Sequence, residues 1–237
     1  MTPATASPRT PSGRRLPALV LAAACAVLAG GVLSACSVGG DAQPSNPDLS
    51  SRSVSASDFP TPASPIPPQA VANALADITG SPSPGQGSNT EISPSECAPP
   101  PVSADGAVAF LGPGTAERST LTTVVAHVDT PLAEVVRRAE KCPELTTTTF
   151  GASSTVTTEV LPAPPARDGV ETATIRRTIL TGGGTVPTTT SSLSLIGERD
   201  GVRVYAEYRW PAAGPVPAED SAALDELFTK AVSAAFG

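Results

Sequence analysis

The 237-residue chain has one His, one Met, one Trp, two Tyr and five Phe. Each shortage removes a class of function. A Ser-His-Asp hydrolase needs an imidazole to accept the nucleophile's proton, and only His127 could supply it. His127 sits between Ala126 and Val128 in a segment of strand character, on the face opposite the apolar positions. It reads as a solvent-facing strand residue. A zinc site needs three or four ligands from His, Cys or carboxylates, so no metal and no cofactor is expected. Basic excess is also lacking, with 15 Lys and Arg against 22 Asp and Glu and a formal charge of −7. A nucleic-acid partner is not expected, because phosphate backbones demand clustered positive charge.

Proline and glycine, by contrast, are abundant at 27 and 20. Proline on this scale points to long exposed segments, and the excess of Ala and Val has the look of a high-GC genome.

The four cysteines fall into two groups. Cys25 and Cys36 belong to an N-terminal stretch that is polar with Arg9, Arg14 and Arg15 over residues 1–15 and almost wholly apolar over 16–33. That order of a charged region, an apolar region and small residues is that of a secretory signal. The adjacent Arg14-Arg15 pair also fits a twin-arginine route, although Leu16-Pro17 follows where a fuller consensus would stand. Leu33-Ser34-Ala35-Cys36 resembles the lipobox of bacterial lipoproteins. The resemblance implies a signal peptide over residues 1–35, cleavage before Cys36, and diacylglycerol and fatty acyl chains (palmitate among them) on that cysteine. An uncleaved transmembrane helix is the plainer alternative, since about 20 apolar residues span a bilayer; Gly30, Gly31 and the lipobox oppose it. Acyl chains contribute about 0.8 kcal/mol per buried methylene, so the expected address is the outer face of the cell membrane. Loss of the leader would take the formal charge from −7 to −10.

Residues 36–57 show no apolar periodicity and read as a flexible Ser/Pro/Gly-rich stalk. A single extracytoplasmic domain is expected over 58–237. Val71, Ala74, Leu75 and Ile78 have helical spacing and Gly80 is a natural stop, which predicts a helix over 69–79. Residues 107–111 fit a strand or a short helix, and 119–128 fit a strand. Thr130 then reads as an N-cap with Pro131 at the first helical position, and Leu132, Val135, Val136 and Ala139 give that helix one apolar face. Further strand segments are 145–150, 154–161, 170–181, 188–196 and 202–210. In the last, Val202, Val204, Ala206 and Tyr208 alternate with Arg203, Tyr205, Glu207 and Arg209, as on a sheet with one buried and one wet face. Leu224, Leu227, Phe228, Ala231, Val232 and Ala235 form the stripe of a final helix that starts at Glu219-Asp220. The expected class is α+β: an antiparallel sheet of about five to six strands with helices packed mainly on one face.

Cys97 and Cys142 fall within this domain and, in an exported protein, read as one disulfide. A pair of free thiols or an intermolecular bridge are the alternatives. The order of Asp58-Phe59-Pro60, the helix ending Leu75-Ala76-Asp77-Ile78-Thr79-Gly80, Ser93-Pro94-Ser95-Glu96-Cys97 and then Glu140-Lys141-Cys142-Pro143 resembles small actinobacterial, mycobacterial-type lipoproteins. It also resembles the extracellular sensor-type domain of PknH-like receptor kinases. The resemblance implies a central antiparallel sheet with a ligand cleft and no established catalytic residues. Those sensors carry two disulfides where this chain has one pair to offer.

Other candidates for chemistry have plainer readings. Thr181-Gly182-Gly183-Gly184-Thr185 lacks the lysine and the strand-to-helix junction of a phosphate loop and reads as a hairpin turn. Glu198, Asp200 and Glu207 cluster near one hairpin and could pair for glycoside cleavage, but Glu198-Arg199-Asp200-Gly201 has the polarity of an ordinary turn. The threonine runs 146–149 and 188–190 suit exposed strand faces, with O-glycosylation as a further possibility. Trp210 before Pro211 reads as a core plug, with ligand stacking as the lesser option. The expectation is a non-enzymatic, membrane-anchored module that binds an unknown small ligand or an envelope protein. The alternatives are a structural lipoprotein of a membrane complex, or a lipid carrier, which would need a large apolar cavity.

Overall fold

The computed structural model describes residues 46–83, 89–165, 169–182 and 186–237. The signal peptide expected over 1–35 and the lipidation site Cys36 lie outside the described residues. The strands are β1 (Ser64–Pro65), β2 (Thr90–Ser93), β3 (Val108–Pro113), β4 (Thr120–His127) and β5 (Glu144–Thr149). They continue with β6 (Ala152–Leu161), β7 (Glu171–Thr181), β8 (Thr188–Arg199) and β9 (Val202–Trp210), and the helices are α1 (Pro68–Thr79), α2 (Leu132–Lys141) and α3 (Ala218–Phe236). All nine strands join one sheet in the order β1-β3-β4-β9-β8-β7-β6-β5-β2, and every pairing is antiparallel.

Two expectations are corrected. The sheet has nine strands, not five to six, and its helices cover both faces. The extra strands escape sequence reading because β1 is two residues long with a proline and β2 is Thr-Glu-Ile-Ser, too short and polar to show a period. The second face escapes because a strand buried on both sides reads as a continuous apolar run with no alternation. In β4, Leu121 and Val125 pack toward α3 while Val124 and Ala126 pack toward α1 and α2.

The expected wet face of β9 is likewise buried: Arg203, Tyr205 and Glu207 are all at most 3% exposed. They face the α1/α2 side, and Val204, Ala206, Tyr208 and Trp210 face α3. Of the stalk expected over 36–57, residues 36–45 lie outside the described residues, and the rest is not a free stalk. Residues 46–57 pack on the sheet, with Leu49 and Val54 buried in the core under α3 and the Leu49 amide bonded to the Gly106 carbonyl at 2.9 Å.

The α3 layer is mainly apolar. Leu224, Leu227, Phe228, Ala231 and Val232 meet Leu121, Leu195, Val204 and Trp210, and Trp210 stacks on Tyr208 at 5.4 Å between ring centroids. Trp210 is therefore a core residue. The layer's buried charged side chain is Asp220 in the first turn of α3. It accepts from the Tyr208 hydroxyl at 2.7 Å, the Thr115 amide at 3.1 Å and the Thr115 hydroxyl at 2.6 Å.

Loops follow backbone chemistry. Asp200 and Gly201 both have positive φ between β8 and β9, as a two-residue hairpin requires. Strands β7 and β8 pair up to Thr181–Thr188 across the Gly-rich segment, so that segment connects a hairpin; Gly183–Thr185 lie outside the described residues. α2 begins at Leu132 with Pro131 as its flanking residue, one position later than the Thr130 cap implies. The reason is visible at Thr130, whose carbonyl is taken by the Arg203 guanidinium.

Candidate functional site

Under α1 and α2 the sheet is not filled. A cavity of about 260 Å³ lies between these helices, the Pro99–Val102 segment and the inner faces of β2 and β5–β9. Its size is just under the roughly 300–1,000 Å³ of common small-molecule pockets. Val135 and Ala139 of α2 form one wall, and Leu145, Val156, Ile175, Ile179 and Ile196 form much of the sheet side. Threonine hydroxyls from Thr90, Thr147, Thr149 and Thr158 interrupt this apolar lining.

The two cysteines predicted to pair do so, and their bridge is part of the wall. Cys97 is the last residue of the short 3-10 turn Ser95–Cys97, Cys142 caps the end of α2, and both line the cavity. The disulfide therefore holds α2 and the Pro99–Val102 segment against each other at one side of the hollow.

The floor carries charge. Arg203 is 2% exposed and binds the Glu198 carboxylate at 2.7 Å, the Tyr205 hydroxyl at 3.2 Å and the Thr130 carbonyl. Burial opposes the Arg203 charge, but Tyr205 and Glu198 outweigh it and leave the guanidinium above its ordinary value; burial also raises the Tyr205 hydroxyl. Glu207 is matched by Ser194 at 2.8 Å and Arg209 at 3.0 Å, and Arg209 reaches on to the Asp77 carboxylate at 2.6 Å. Arg177, on β7, donates to the Ile78 carbonyl at the C-terminal end of α1. Two guanidiniums thus fasten the helix end where carbonyls lack intrahelical partners and the dipole favours cations.

Gly80 closes the helix with φ +75°, and a Cβ there would lie 2.8 Å from Arg177 Nη1. The left-handed turn favours glycine here, and a Cβ would displace the end of the Arg177 side chain that lies over it.

The sequence-level candidates are not brought together. His127 is half-buried at the end of β4, with Nε2 at 3.0 Å from the Pro47 carbonyl, and it does not line the cavity. It therefore faces the packed N-terminal segment, not open solvent as expected. Asp200 is exposed in its turn, while Glu198 and Glu207 share the sheet's inner face. Glu198 pairs across from Arg203, four residues along β9 from Glu207, which places the two backbone positions about 13 Å apart along the strand. Each carboxylate is bound to its own arginine, Glu198 to Arg203 and Glu207 to Arg209, and not turned toward a shared site of the kind a glycosidase uses. Among the described residues, no three His, Cys, Asp or Glu side chains converge as a metal site.

The residues that do define the cavity, Arg177, Arg203 and Tyr205, were not singled out from sequence. The signal was there in part: Arg176-Arg177 interrupts an otherwise β-branched strand, and arginine alternates with Tyr and Glu on β9.

No family model matches the chain, and no curated protein matches it. Among solved structures, the chain is similar to an uncharacterised protein of Mycobacterium smegmatis, the Rv0999 ortholog. The identity is 18%, the match covers 73% of this chain and 85% of that one, and the TM-score is 0.40. A mycobacterial neighbour is thus found in structure, at a level of likeness that supports no argument about ligand or mechanism.

Proposed function

We propose that this chain is a ligand-binding module of the cell envelope, displayed from the outer face of the membrane by lipid on Cys36 and carrying no chemistry of its own. The observation that supports the reading is the unfilled space under α1 and α2, with a charged floor, apolar walls and a disulfide in its rim. Native interiors are close-packed and leave few voids larger than a water molecule. A hollow bounded by two helices that are fastened by buried arginines is the kind of space a small ligand fills. A sensor role like that of receptor-kinase ectodomains belongs to the same reading.

The test is mass spectrometry of the protein purified from its own host, beside an Ala139→Trp variant that fills the cavity. A small molecule present in the first and absent from the second supports the proposal; two empty proteins overturn it. Intact mass of the same sample checks the anchor, because cleavage before Cys36 with added acyl mass is expected and an unmodified N-terminus would refute it.

A second reading, a structural lipoprotein of a membrane complex, is favoured by exposed apolar side chains at one end of the sheet. Phe150 in the β5–β6 turn and Val186 in the β7–β8 connection are 74% and 73% exposed, and Leu180 is close by in β7. Photo-crosslinking from position 150 in cells should give a discrete protein adduct if this reading holds, and none if it does not.

A further inference from the structure

Three guanidiniums line the cavity, and they differ in what they hold. Arg203 is matched by Glu198, Tyr205 and the Thr130 carbonyl. Arg138 is matched by Glu134 at 3.3 Å and the Ala98 carbonyl at 2.7 Å. Arg177 has one partner among the described residues, the Ile78 carbonyl, although a guanidinium carries five N–H donors. No carboxylate lies within ion-pair distance of it among the described residues; the nearby Glu207 gives its oxygens to Ser194 and Arg209. Burial is the largest influence on Arg177 and lowers its guanidinium from the ordinary value, with Glu207 offsetting part of that. Its charge is thus under-compensated where it stands.

The free donors are not sealed in protein. Among the described residues, the one fully enclosed side-chain polar atom without a partner is Thr123 Oγ1, on another strand. The remaining Arg177 N–H groups therefore reach open space, and the space that Arg177 lines is the cavity. Thr158 stands directly across from Arg177 in the β6–β7 register and lines the same cavity. Its hydroxyl has no side-chain hydrogen bond among the described residues. The pair offers a planar fork of donors and one hydroxyl on adjacent strands, which is the donor set a carboxylate accepts well. Ile175 and Ile179 flank Arg177 on its own strand face, and Val135 and Ala139 close the space from α2.

We propose that the cavity takes a small monoanionic amphiphile, its carboxylate on Arg177 and Thr158 and its apolar body along Ile175, Ile179, Val135 and Ala139. This rests on the ligand-binding reading above and gives that ligand a chemical class. About 260 Å³ accommodates one short apolar body and excludes a two-chain lipid. Arg177 also has a structural task at the end of α1, so the test must separate the two.

The full chain in lipid nanodiscs, with nitrogen-labelled arginine, is titrated with octanoate, octanol and octylammonium while the arginine Nε–H resonances are followed. Octanoate should shift the Arg177 resonance and bind at least about tenfold tighter than octanol, the difference that charge-assisted hydrogen bonds confer. Octylammonium should bind more weakly than either. Arg177→Met should abolish the preference for octanoate. Thr158→Val leaves the Arg177–Ile78 contact intact and should weaken octanoate several-fold while leaving octanol unchanged, which keeps the test valid if Arg177→Met fails to fold. Equal binding of octanoate and octanol, or a preference that survives in both variants, overturns the carboxylate assignment and leaves the binding reading standing. Binding of none of the three overturns the amphiphile assignment; the binding reading falls separately, through an empty protein from the native host.

Discussion

The two faces of the sheet are made from the same strands and solve burial in opposite ways. On the α3 face, side chains from β4, β8 and β9 interdigitate with a 19-residue helix, and the one buried charged side chain, Asp220, is held by Tyr208 and Thr115. On the other face, β9 presents Arg203, Tyr205 and Glu207 and β7 presents Arg177 to two shorter helices, with a hollow left between them. Dense apolar packing maximises stability, whereas buried ion pairs and empty volume reduce it. The packing around Leu224, Leu227 and Trp210 on the first face is thus expected to contribute more stability per residue than the lining of the hollow on the second.

The largest expected effect concerns how the hollow face is held. Replacing Cys97 and Cys142 by Ser opens a loop of 45 residues in sequence, which the chain-entropy model sets at about 4 kcal/mol of lost stability in urea unfolding. Hydrogen exchange should then accelerate in α2 and β5 and stay slow in α3; uniform acceleration would break the distinction between the faces. A matched pair of truncations sharpens it further. Leu224→Ala in the apolar core should cost about 3 kcal/mol. Ile179→Ala beside the cavity should cost about 1 kcal/mol, since Ile179 is half-buried and already lacks neighbours on one side. Equal costs would mean that the hollow is filled in solution.

Next comes Glu198→Ala, which leaves Arg203 buried without its carboxylate. Loss of one partner from a buried pair costs about 3–5 kcal/mol. The remaining Tyr205 and Thr130 contacts and the 13% exposure of Glu198 reduce this to about 2 kcal/mol by thermal unfolding. The smallest effect lies under α3, where the Ser55 hydroxyl and amide hold Asp58 below its ordinary carboxylate value. A depressed carboxylate stabilises the fold above its unfolded value, and that contribution is lost as pH falls through the folded value. Ser55→Ala should bring the Asp58 titration back up in a carboxyl NMR titration, and an unmoved titration would remove this contact from the account.

Much of the α3 face was legible in the sequence. The stripe from Leu224 to Ala235 and the alternation of Val204, Ala206 and Tyr208 each have one period and one partner. α1 and its Gly80 stop were legible for the same reason, and so was Cys97–Cys142 as the pair left in the folding part. The hollow face was not. Arg203, Tyr205 and Glu207 carry the signature of a wet surface, and only three-dimensional pairing with Glu198, Ser194 and Arg209 turns that signature into a buried one. A cavity has no residue pattern of its own, because it is defined by atoms that are missing from between helices distant in sequence. β1, β2 and the packing of residues 46–57 were hidden by brevity: Leu49 and Val54 are single apolar residues in a polar stretch, and no period can be read from two points.

The sheet's outermost strands, of two and four residues, have a consequence for crowding. Strand edges with unpaired N–H and C=O groups are templates for other chains, and short or proline-bearing edges blunt them. Pro65 stands in β1 itself, and Pro94 directly follows β2. If Cys36 confines many copies to one leaflet, as proposed, each meets its neighbours at the high effective concentration that tethering creates. Brief, proline-marked margins would then let a dense lawn of such domains stand side by side without knitting into a continuous sheet.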